Sequence, residues 1–244
     1  MTESEARPRE GEDRDRQVRA IFSSIAGRYD LLNHVLSLNV DKRWRRKAVD
    51  RLVLGGTPTR ARVLDACAGT LDLSLELAGR GGFQGTVIAS DFAHPMLKVG
   101  VDKLNNSRVL PVCSDTLGLP FPDGTFDGAM VAFGVRNLSD VDAGFRELGR
   151  VLRRGARLVV LEFTTPPNPL LRPLYLLYFR RILPFLGKLV SGHPWAYEYL
   201  PESVREFPGP EALARKLAAA GFETPEWEYL TGGIAAIHVG RRRG

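Results

Sequence analysis

A short apolar segment that ends in an acidic residue and a turn of small residues is the feature of this chain best suited to chemistry. In RVLDACAGTLDLSLEL, residues 62–77, Asp65 closes the apolar run, Gly69 and Thr70 lie in the turn, and leucines follow at helix-like intervals. The pattern predicts a strand, a turn and a helix, the unit at which nucleoside cofactors bind. Thr70 is the expected N-cap of that helix, because its hydroxyl can accept from the amides of the first turn.

Two more acidic residues support a nucleoside site. Asp91 closes the next predicted strand, TVIASD, where a carboxylate is suited to bind two ribose hydroxyls. Asp115 follows a third predicted strand and is either an acceptor for the adenine amine or an ordinary residue at the start of a loop. The turn lacks the GxGxxG pattern of dinucleotide sites and the GxxxxGK[ST] pattern of phosphate loops, so an adenosyl ligand without phosphates fits better.

Composition restricts the possible classes of protein. The chain has 244 residues, 44% of them hydrophobic, which is enough for a substantial core, and its two cysteines suggest a reducing compartment. The four histidines show no metal-ligand spacing, so we expect no metal site. The net charge of +6 favours an anionic partner, either nucleic acid or anionic lipid, and the charged N-terminal residues do not resemble a secretion signal.

Strand-like and helix-like segments alternate along the chain and predict an α/β fold. Strands are expected near 62–67, 86–90, 108–114, 126–133, 157–163, 225–230 and 234–239, and helices near 71–79, 94–104, 140–152 and 210–220. This order implies a Rossmann-like, mainly parallel seven-stranded sheet with helices on both faces. The last two strands are joined by a short turn and must be antiparallel, so the sheet contains one reversed strand.

The remaining segments suggest how the chain is divided. Residues 1–17 carry alternating charges and are expected to be a disordered tail, followed by a single domain over 18–240 whose first part, 18–55, is a helical cap. Within the expected insertion 165–200, the apolar segment 170–190 carries arginines and prolines that argue against a membrane-spanning helix. It is either a helix packed on the core or a lid at a membrane interface.

The motifs together resemble those of the ubiquinone/menaquinone biosynthesis C-methyltransferase family, a branch of the class I S-adenosylmethionine-dependent methyltransferases. FGVRN, YDLLNHVLS and YLPESVREFP are the most specific motifs, whereas VLDACAGTLDL and LPFPDGTFD are of a kind shared by many methyltransferases. The resemblance covers roughly residues 18–240, through YDLLNHVLS (29–37), VLDACAGTLDL (63–73), SDFAHPMLKVG (90–100), DTLGLPFPDGTFD (115–127), FGVRNLSD (133–140), RVLRRGARLVVLEF (150–163) and YEYLPESVREFP (197–208).

The resemblance implies S-adenosylmethionine as the cofactor. The expected contacts come from the turn and the strand ends, namely Asp65, Gly69, Thr70, Asp91, Asp115 and Thr116. Four positions depart from the family pattern: Cys67 and Leu71 replace usual glycines, Ala132 replaces a serine, and Asp41 replaces a histidine. If Leu71 must adopt a positive φ, its β-carbon costs on the order of 1–2 kcal/mol, which would weaken cofactor binding without loss of the fold.

The resemblance also implies the acceptor, a polyprenyl quinol methylated at a ring carbon, with demethylmenaquinol favoured over a benzoquinol. We expect Arg136 to stabilise the developing oxyanion and to relay its proton through water, because arginine itself is a poor base. Asn137 would hydrogen-bond a ring oxygen, and Tyr29 would close and orient the site. The ordinary alternatives are a surface ion pair of Arg136 with Asp140 and simple packing of Tyr29.

Two other functions remain open, and a third is disfavoured. The chain could methylate another small acceptor, or it could be a degenerate scaffold in a quinone-synthesis complex. An RNA methyltransferase is disfavoured, because outside 170–190 the basic residues do not alternate with aromatic ones, so no nucleic-acid partner is expected. A bilayer-dissolved quinol implies a cytoplasmic protein in peripheral contact with the inner face of an anionic membrane, whereas the oligomeric state is left open.

Overall fold

The fold is that of a computed structural model, which describes residues 11–30, 37, 39–52, 60–105, 108–178, 181 and 194–244. The helices in this part of the chain are α1 (Gly11–Ile25), α2 (Val40–Arg51), α3 (Asp72–Ala78), α4 (His94–Val101), α5 (Val141–Val151), α6 (Leu171–Leu177), α7 (Pro194–Glu206) and α8 (Pro210–Ala219), with short 3₁₀ helices at Ala26–Arg28, Val135–Asn137 and Thr231–Gly233. The strands are β1 (Arg62–Ala66), β2 (Thr86–Asp91), β3 (Val109–Cys113), β4 (Phe126–Ala132), β5 (Leu152–Phe163), β6 (Phe222–Leu230) and β7 (Ala235–Arg242).

The seven strands form one sheet in the order β3-β2-β1-β4-β5-β7-β6. Strands β1 to β5 are parallel, and β7 runs antiparallel to both of its neighbours. The predicted seven-stranded sheet with one reversed strand is therefore confirmed. The chain leaves β1 toward β2 on one side and returns to β4 on the other, so the carboxyl ends of these strands border a crevice at the switch point.

Helices cover both faces of the sheet because successive strand residues point in opposite directions. Val63 packs into a core with residues of α2 and α3, whereas the next residue, Leu64, packs into a second core with residues of α5 and α8. Both side chains are fully buried. The two cores hold the strand ends rigidly, and these ends carry the acidic residues singled out above.

Helix α1 corrects the expected disordered tail, 1–17, for residues 11–17. The helix begins at Gly11, and residues 1–10 lie outside the described part of the chain. Val18, Ile21 and Ile25 bury one face of α1, while Arg14 and Asp15 dock on the segment after β4. Alternating charges predict a solvated segment, so the sequence pattern did not indicate this helix. Arg14 and Asp15, however, bind specific partners far along the chain.

Two strands begin earlier than predicted. β5 begins at Leu152, which pairs with Phe126 of β4, and the charged run RRG lies in the register shift that follows, with Gly155 at φ 77°. β6 begins at Phe222 and is likewise interrupted by a register shift between Glu223 and Glu226. Such bulges break the two-residue alternation from which strands are recognised, so sequence analysis finds only the regular ends.

The region expected to be a lid is described only in part. Residues 179–180 and 182–193 lie outside the described part, as do 31–36 and 38 of the expected cap. Within the described residues, none of the helices combines the length and apolar character needed to cross a bilayer.

Candidate active site

A cleft lies at the carboxyl edge of the sheet, under α1. One side is formed by Gly69 after β1, Asp91 at the end of β2, and Asp115 after β3. Asn137, beyond β4, and Tyr29, directly after the 3₁₀ helix Ala26–Arg28, also line the cleft. The fold therefore gathers these five predicted site residues around one cavity.

Asp91 shapes the turn after β1 as well as lining the cleft. Its Oδ2 accepts from the amide of Gly69 at 2.8 Å, and its Oδ1 accepts from the amide of Ala93 at 2.8 Å. Burial raises the pKa of Asp91 to about 6, although its two hydrogen bonds to backbone amides act to lower the pKa. Each carboxylate oxygen retains a second lone pair, so Asp91 can still accept from ligand hydroxyls.

Three alternate residues of this turn adopt the left-handed conformation, namely Cys67 (φ 54°), Gly69 (φ 55°) and Leu71 (φ 71°). Leu71 occupies the N-cap position of α3, so the prediction of Thr70 as the N-cap was wrong. The Thr70 hydroxyl donates instead to Oδ1 of Asp30 in the cap. A nonglycine residue in this conformation costs on the order of 1–2 kcal/mol, so the turn stores strain at two positions.

Two glycines on neighbouring segments make room for the unusual side chains of the turn. A β-carbon on Gly134 would lie 2.3 Å from Cβ of Cys67, and one on Gly100 would lie 2.4 Å from Cγ of Leu71. Leu71 is fully buried in the core that contains α2 and α3. Its packing offsets part of the strain, because burying a leucine side chain contributes about 1.5–3 kcal/mol.

Two of the predicted cofactor ligands lie behind the cleft rather than on its surface. Asp65 is only 1% exposed and accepts from the hydroxyl of Ser74 at 2.6 Å. Burial raises its pKa to about 7, and its Oδ1 has no hydrogen-bond partner among the described residues. Thr70 is also buried, with its hydroxyl turned toward the cap. Both residues support the turn from beneath.

The segment after β3 provides the next contacts. Oδ1 of Asp115 accepts from the amide of Leu117 at 2.9 Å, and Asp115 lines the cleft. Thr116 lines it too, with its hydroxyl 3.4 Å from Sγ of Cys67. Burial raises the pKa of the Cys67 thiol, and Asp91 adds to that rise, so the thiol stays protonated and is a poor nucleophile.

Arg136 is buried beside the cleft in an ion pair with Glu162. Its Nη1 donates to Oε1 of Glu162 at 2.7 Å and to the carbonyl of Phe133 at 2.6 Å. Its backbone amide donates to Oε2 of the same carboxylate at 3.2 Å. Arg136 is 5% exposed, and its Nε has no hydrogen-bond partner among the described residues. The alternative of a surface pair with Asp140 is excluded, because Asp140 caps α5.

Asn137 and Tyr29 both face the cleft. Nδ2 of Asn137 donates to the carbonyl of Phe133 at 3.3 Å, and its Oδ1 accepts from the hydroxyl of Tyr199 at 3.3 Å. The ring of Tyr29 meets Phe22 of α1 edge to face, with centroids 5.8 Å apart. Tyr29 thus contributes an aromatic ring to the lining of the cavity, and Asn137 of the 3₁₀ helix Val135–Asn137 contributes an amide.

Sequence analysis missed four residues that hold this site. Glu162 directly follows the mainly apolar segment RLVVL, just as Asp65 and Asp91 each follow an apolar strand. An acidic residue at the end of a predicted strand is therefore the pattern that could have identified Glu162. Asp15 lines the cleft from α1, and Tyr199 reaches it from α7. Nζ of Lys103 lies 2.5 Å from Oδ2 of the cap's Asp30 and 2.9 Å from the carbonyl oxygen of Thr70. These last three have no local pattern, since each acts across a long sequence separation.

The charge of the cleft favours a cationic ligand. The described residues that line it include three carboxylates, of Asp15, Asp91 and Asp115, and no lysine or arginine. These residues fit S-adenosylmethionine, because hydroxyls and an amine can donate to the carboxylates while the sulfonium is cationic; phosphates would be repelled. No group of three His, Cys, Asp or Glu side chains in the described part of the chain could hold a metal ion.

Solved structures identify the fold of this protein. The fold matches a crystal structure from Thermotoga maritima described as an S-adenosylmethionine-dependent methyltransferase, with a TM-score of 0.63, 16% identity and 93% and 100% of the two chains covered. It also matches the putative methyltransferase in a complex with the Haloferax volcanii Trm112 activator, with a TM-score of 0.66, 13% identity and 91% and 98% covered. The fold is that of the class I S-adenosylmethionine-dependent methyltransferases, which confirms the predicted class.

Sequence comparison gives the family. The model of the ubiE/COQ5 methyltransferase family matches residues 10–242, and the chain belongs to this family. It is 52% identical over 225 residues to the demethylmenaquinone methyltransferase of Thermus thermophilus, covering 91% of this chain and 100% of that protein. It is 45% identical over 245 residues to the demethylmenaquinone methyltransferase of Deinococcus radiodurans, covering 98% and 99%.

Proposed function

We propose that this enzyme methylates a ring carbon of a polyprenyl quinol in menaquinone biosynthesis, with demethylmenaquinol as the acceptor. The two relatives, both demethylmenaquinone methyltransferases, support the choice of a naphthoquinol. The observation that carries the chemistry is the one cleft that three carboxylates, Tyr29 and Asn137 line together.

The cofactor side binds S-adenosylmethionine, which supplies an electrophilic methyl group on sulfur. Asp91 accepts from the ribose hydroxyls, and Asp115 accepts from the adenine amine. Gly69 lets the backbone approach the ligand closely, because nothing but Cε of Met96 at 3.5 Å stands within 4 Å of the place its β-carbon would take. Asp65 and Thr70 act indirectly, because they support the turn that binds the cofactor.

The acceptor side activates the ring. Carbon is a poor nucleophile until the neighbouring hydroxyl loses its proton and the ring becomes phenolate-like. Asn137 binds that oxygen, and the Arg136 guanidinium beside the cleft stabilises the negative charge while the hydroxyl proton passes through water to bulk solvent. The ring carbon takes the methyl group as the sulfur leaves in S-adenosylhomocysteine, and it then loses its own proton to solvent so that the ring becomes aromatic again. The Glu162 carboxylate lies 2.7 Å from Arg136 and fixes the guanidinium. Tyr29 holds the ring in line with the methyl group.

Replacement of Arg136 by alanine tests these roles. We expect methyl transfer in Arg136→Ala to fall at least about 100-fold, as for loss of an oxyanion-stabilising donor, with the Kd for S-adenosylmethionine unchanged by calorimetry. Arg146→Ala is the matched control, since Arg146 is exposed on α5. Wild-type turnover in Arg136→Ala would exclude the assigned role.

A non-catalytic scaffold is the second candidate, because Cys67 and Leu71 hold left-handed positions in the cofactor turn. The room left for them by Gly134 and Gly100 favours a turn that keeps its shape and binds the cofactor. Calorimetry of the wild-type protein with S-adenosylmethionine separates the two. Micromolar binding supports the enzyme, and absence of binding supports the scaffold.

We further propose that α6 contacts an anionic membrane at the cytoplasmic face, where the quinol resides. Leu170, Leu174 and Leu177 form an apolar stripe that is 81%, 66% and 56% exposed, and Arg172 and Arg181 are exposed nearby. Apolar side chains flanked by arginines are typical of interfacial helices. Leu174→Ser should reduce co-sedimentation with anionic vesicles, whereas Leu110→Ser, on the edge strand β3, should not. Equal binding of both variants would contradict the proposal.

A further inference from the structure

The amide of Asn137 is oriented by two fixed partners. The carbonyl of Phe133 can only accept, so the nitrogen of the amide must face it, at 3.3 Å. The oxygen of the amide therefore faces Tyr199, whose hydroxyl donates to it at 3.3 Å. The reversed orientation would set two acceptors against each other at Phe133.

Both partners are held firmly. The Phe133 carbonyl also accepts from Nη1 of Arg136 at 2.6 Å, and the Phe133 ring stacks on Phe163 with centroids 4.5 Å apart. Phe133 adopts φ 60°, a conformation that persists only where the surroundings impose it. Tyr199 is 2% exposed within a hydrophobic cluster of α1, α6 and α7. Burial raises the pKa of its hydroxyl, so it remains a donor.

We propose that Tyr199 is a positioning residue that, together with the Phe133 carbonyl, holds the Asn137 amide so that its second N–H, and not its oxygen, faces the quinol. The inference rests on the proposed function and deepens it, because an N–H donor binds the oxygen that is losing its proton. The site thereby selects the anionic form of a ring hydroxyl over the protonated form, which would need an acceptor.

The first test is a double-mutant cycle with a short-prenyl demethylmenaquinol. Tyr199→Phe keeps the ring and removes the donor, so kcat should fall about tenfold, as for one lost hydrogen bond, with an unchanged Kd for S-adenosylmethionine. In an Asn137→Ala background the same substitution should change kcat by less than about twofold, because its target is gone. An equal loss in both backgrounds would overturn the inference.

Packing loss is controlled by Val204→Ala on the same helix. Val204 belongs to the same cluster and is 6% exposed. Its truncation should lower the Tm more than Tyr199→Phe does while retaining most of kcat. If Val204→Ala instead lowers kcat as much as Tyr199→Phe does, Tyr199 contributes packing only and the inference fails.

A binding measurement gives a readout that does not depend on turnover. The probe is a 1,4-naphthoquinol monomethyl ether, which has one ionisable hydroxyl, titrated into protein saturated with S-adenosylhomocysteine. Wild-type binding should tighten as pH rises through the hydroxyl pKa, and Tyr199→Phe should lose most of that preference. Equal pH profiles would overturn the inference. Failure of the wild type to methylate any quinol would instead contradict the proposed function.

Discussion

The two sides of the cleft are built in different ways. The cofactor side, formed by Gly69, Asp91 and Asp115, uses strand ends and backbone amides that the parallel sheet sets in place. The acceptor side, centred on Arg136 and Asn137, is held by side chains from distant segments. The cofactor site is therefore formed mainly by strand ends, with the cap bound to its turn through Thr70 and Asp30, whereas the acceptor site depends more on side chains of α1 and α7.

The acceptor side has three such long-range attachments. Nη2 of Arg14 in α1 donates to the carbonyl of Arg136 at 2.7 Å, and the hydroxyl of Ser139 donates to Asp15 at 3.1 Å. Tyr199 of α7 donates to Asn137. Movement of either helix would therefore disturb the acceptor side.

Asp91→Ala should damage the cofactor side most. It removes the proposed ligand for the ribose hydroxyls together with the acceptor for the Gly69 and Ala93 amides. We expect the Kd for S-adenosylmethionine to rise at least about 100-fold, equal to loss of two hydrogen bonds to a charged group. Calorimetry measures this, with Asp102→Ala, exposed at the end of α4, as the control. An unchanged Kd would remove Asp91 from the cofactor site.

Gly134→Ala tests the junction of the two sides. The new methyl group would lie 2.3 Å from Cβ of Cys67, so the free energy of unfolding should fall by about 1–3 kcal/mol. Cys67→Gly in the same chain should restore most of it, since it removes both the clash and a strained left-handed residue. Urea denaturation gives the free energy of unfolding of the wild type, both single variants and the double variant, which together form a double-mutant cycle. Strictly additive effects would show that the two positions do not meet.

Asp65→Asn tests the buried carboxyl beneath the cofactor side. Its pKa is raised by burial from 3.8 to about 7, so the folded protein holds a proton that the unfolded chain releases. The stability contributed by protonated Asp65 is present below about pH 4 and is lost as pH rises toward 7. The variant should gain about 4 kcal/mol on the wild type over that range, about three pKa units at 1.36 kcal/mol each. A stability difference that does not change with pH would contradict the raised pKa.

Arg14→Ala should have the smallest effect and should affect only the acceptor side. Loss of its hydrogen bond to Arg136 should lower kcat/KM for the quinol by about three- to tenfold, with an unchanged Kd for S-adenosylmethionine. Arg16→Ala, at a position 74% exposed on the same helix, is the control. A larger effect of Arg14→Ala on cofactor binding than on the acceptor would contradict the separation of the two sides.

The same contrast explains what the sequence could predict. The strand ends, the turn at Gly69 and the acidic positions Asp91 and Asp115 follow from local patterns of apolar and small residues. The prediction of Thr70 as an N-cap was wrong because threonine favours many kinds of turn. Its hydroxyl donates to Asp30, and this tertiary hydrogen bond outweighs the local preference for capping α3. Tyr199 has no local signal, because its partner Asn137 lies 62 residues away.

The most direct test of the central claim is the identity of the methylated product. The purified enzyme is incubated with demethylmenaquinol and S-adenosylmethionine carrying an isotope-labelled methyl group, and the quinone is analysed by mass spectrometry and NMR. The account predicts one labelled methyl on the ring carbon beside the hydroxyl-bearing carbon. A methyl ether, or recovery of unmodified quinol under conditions in which the cofactor binds, would contradict it.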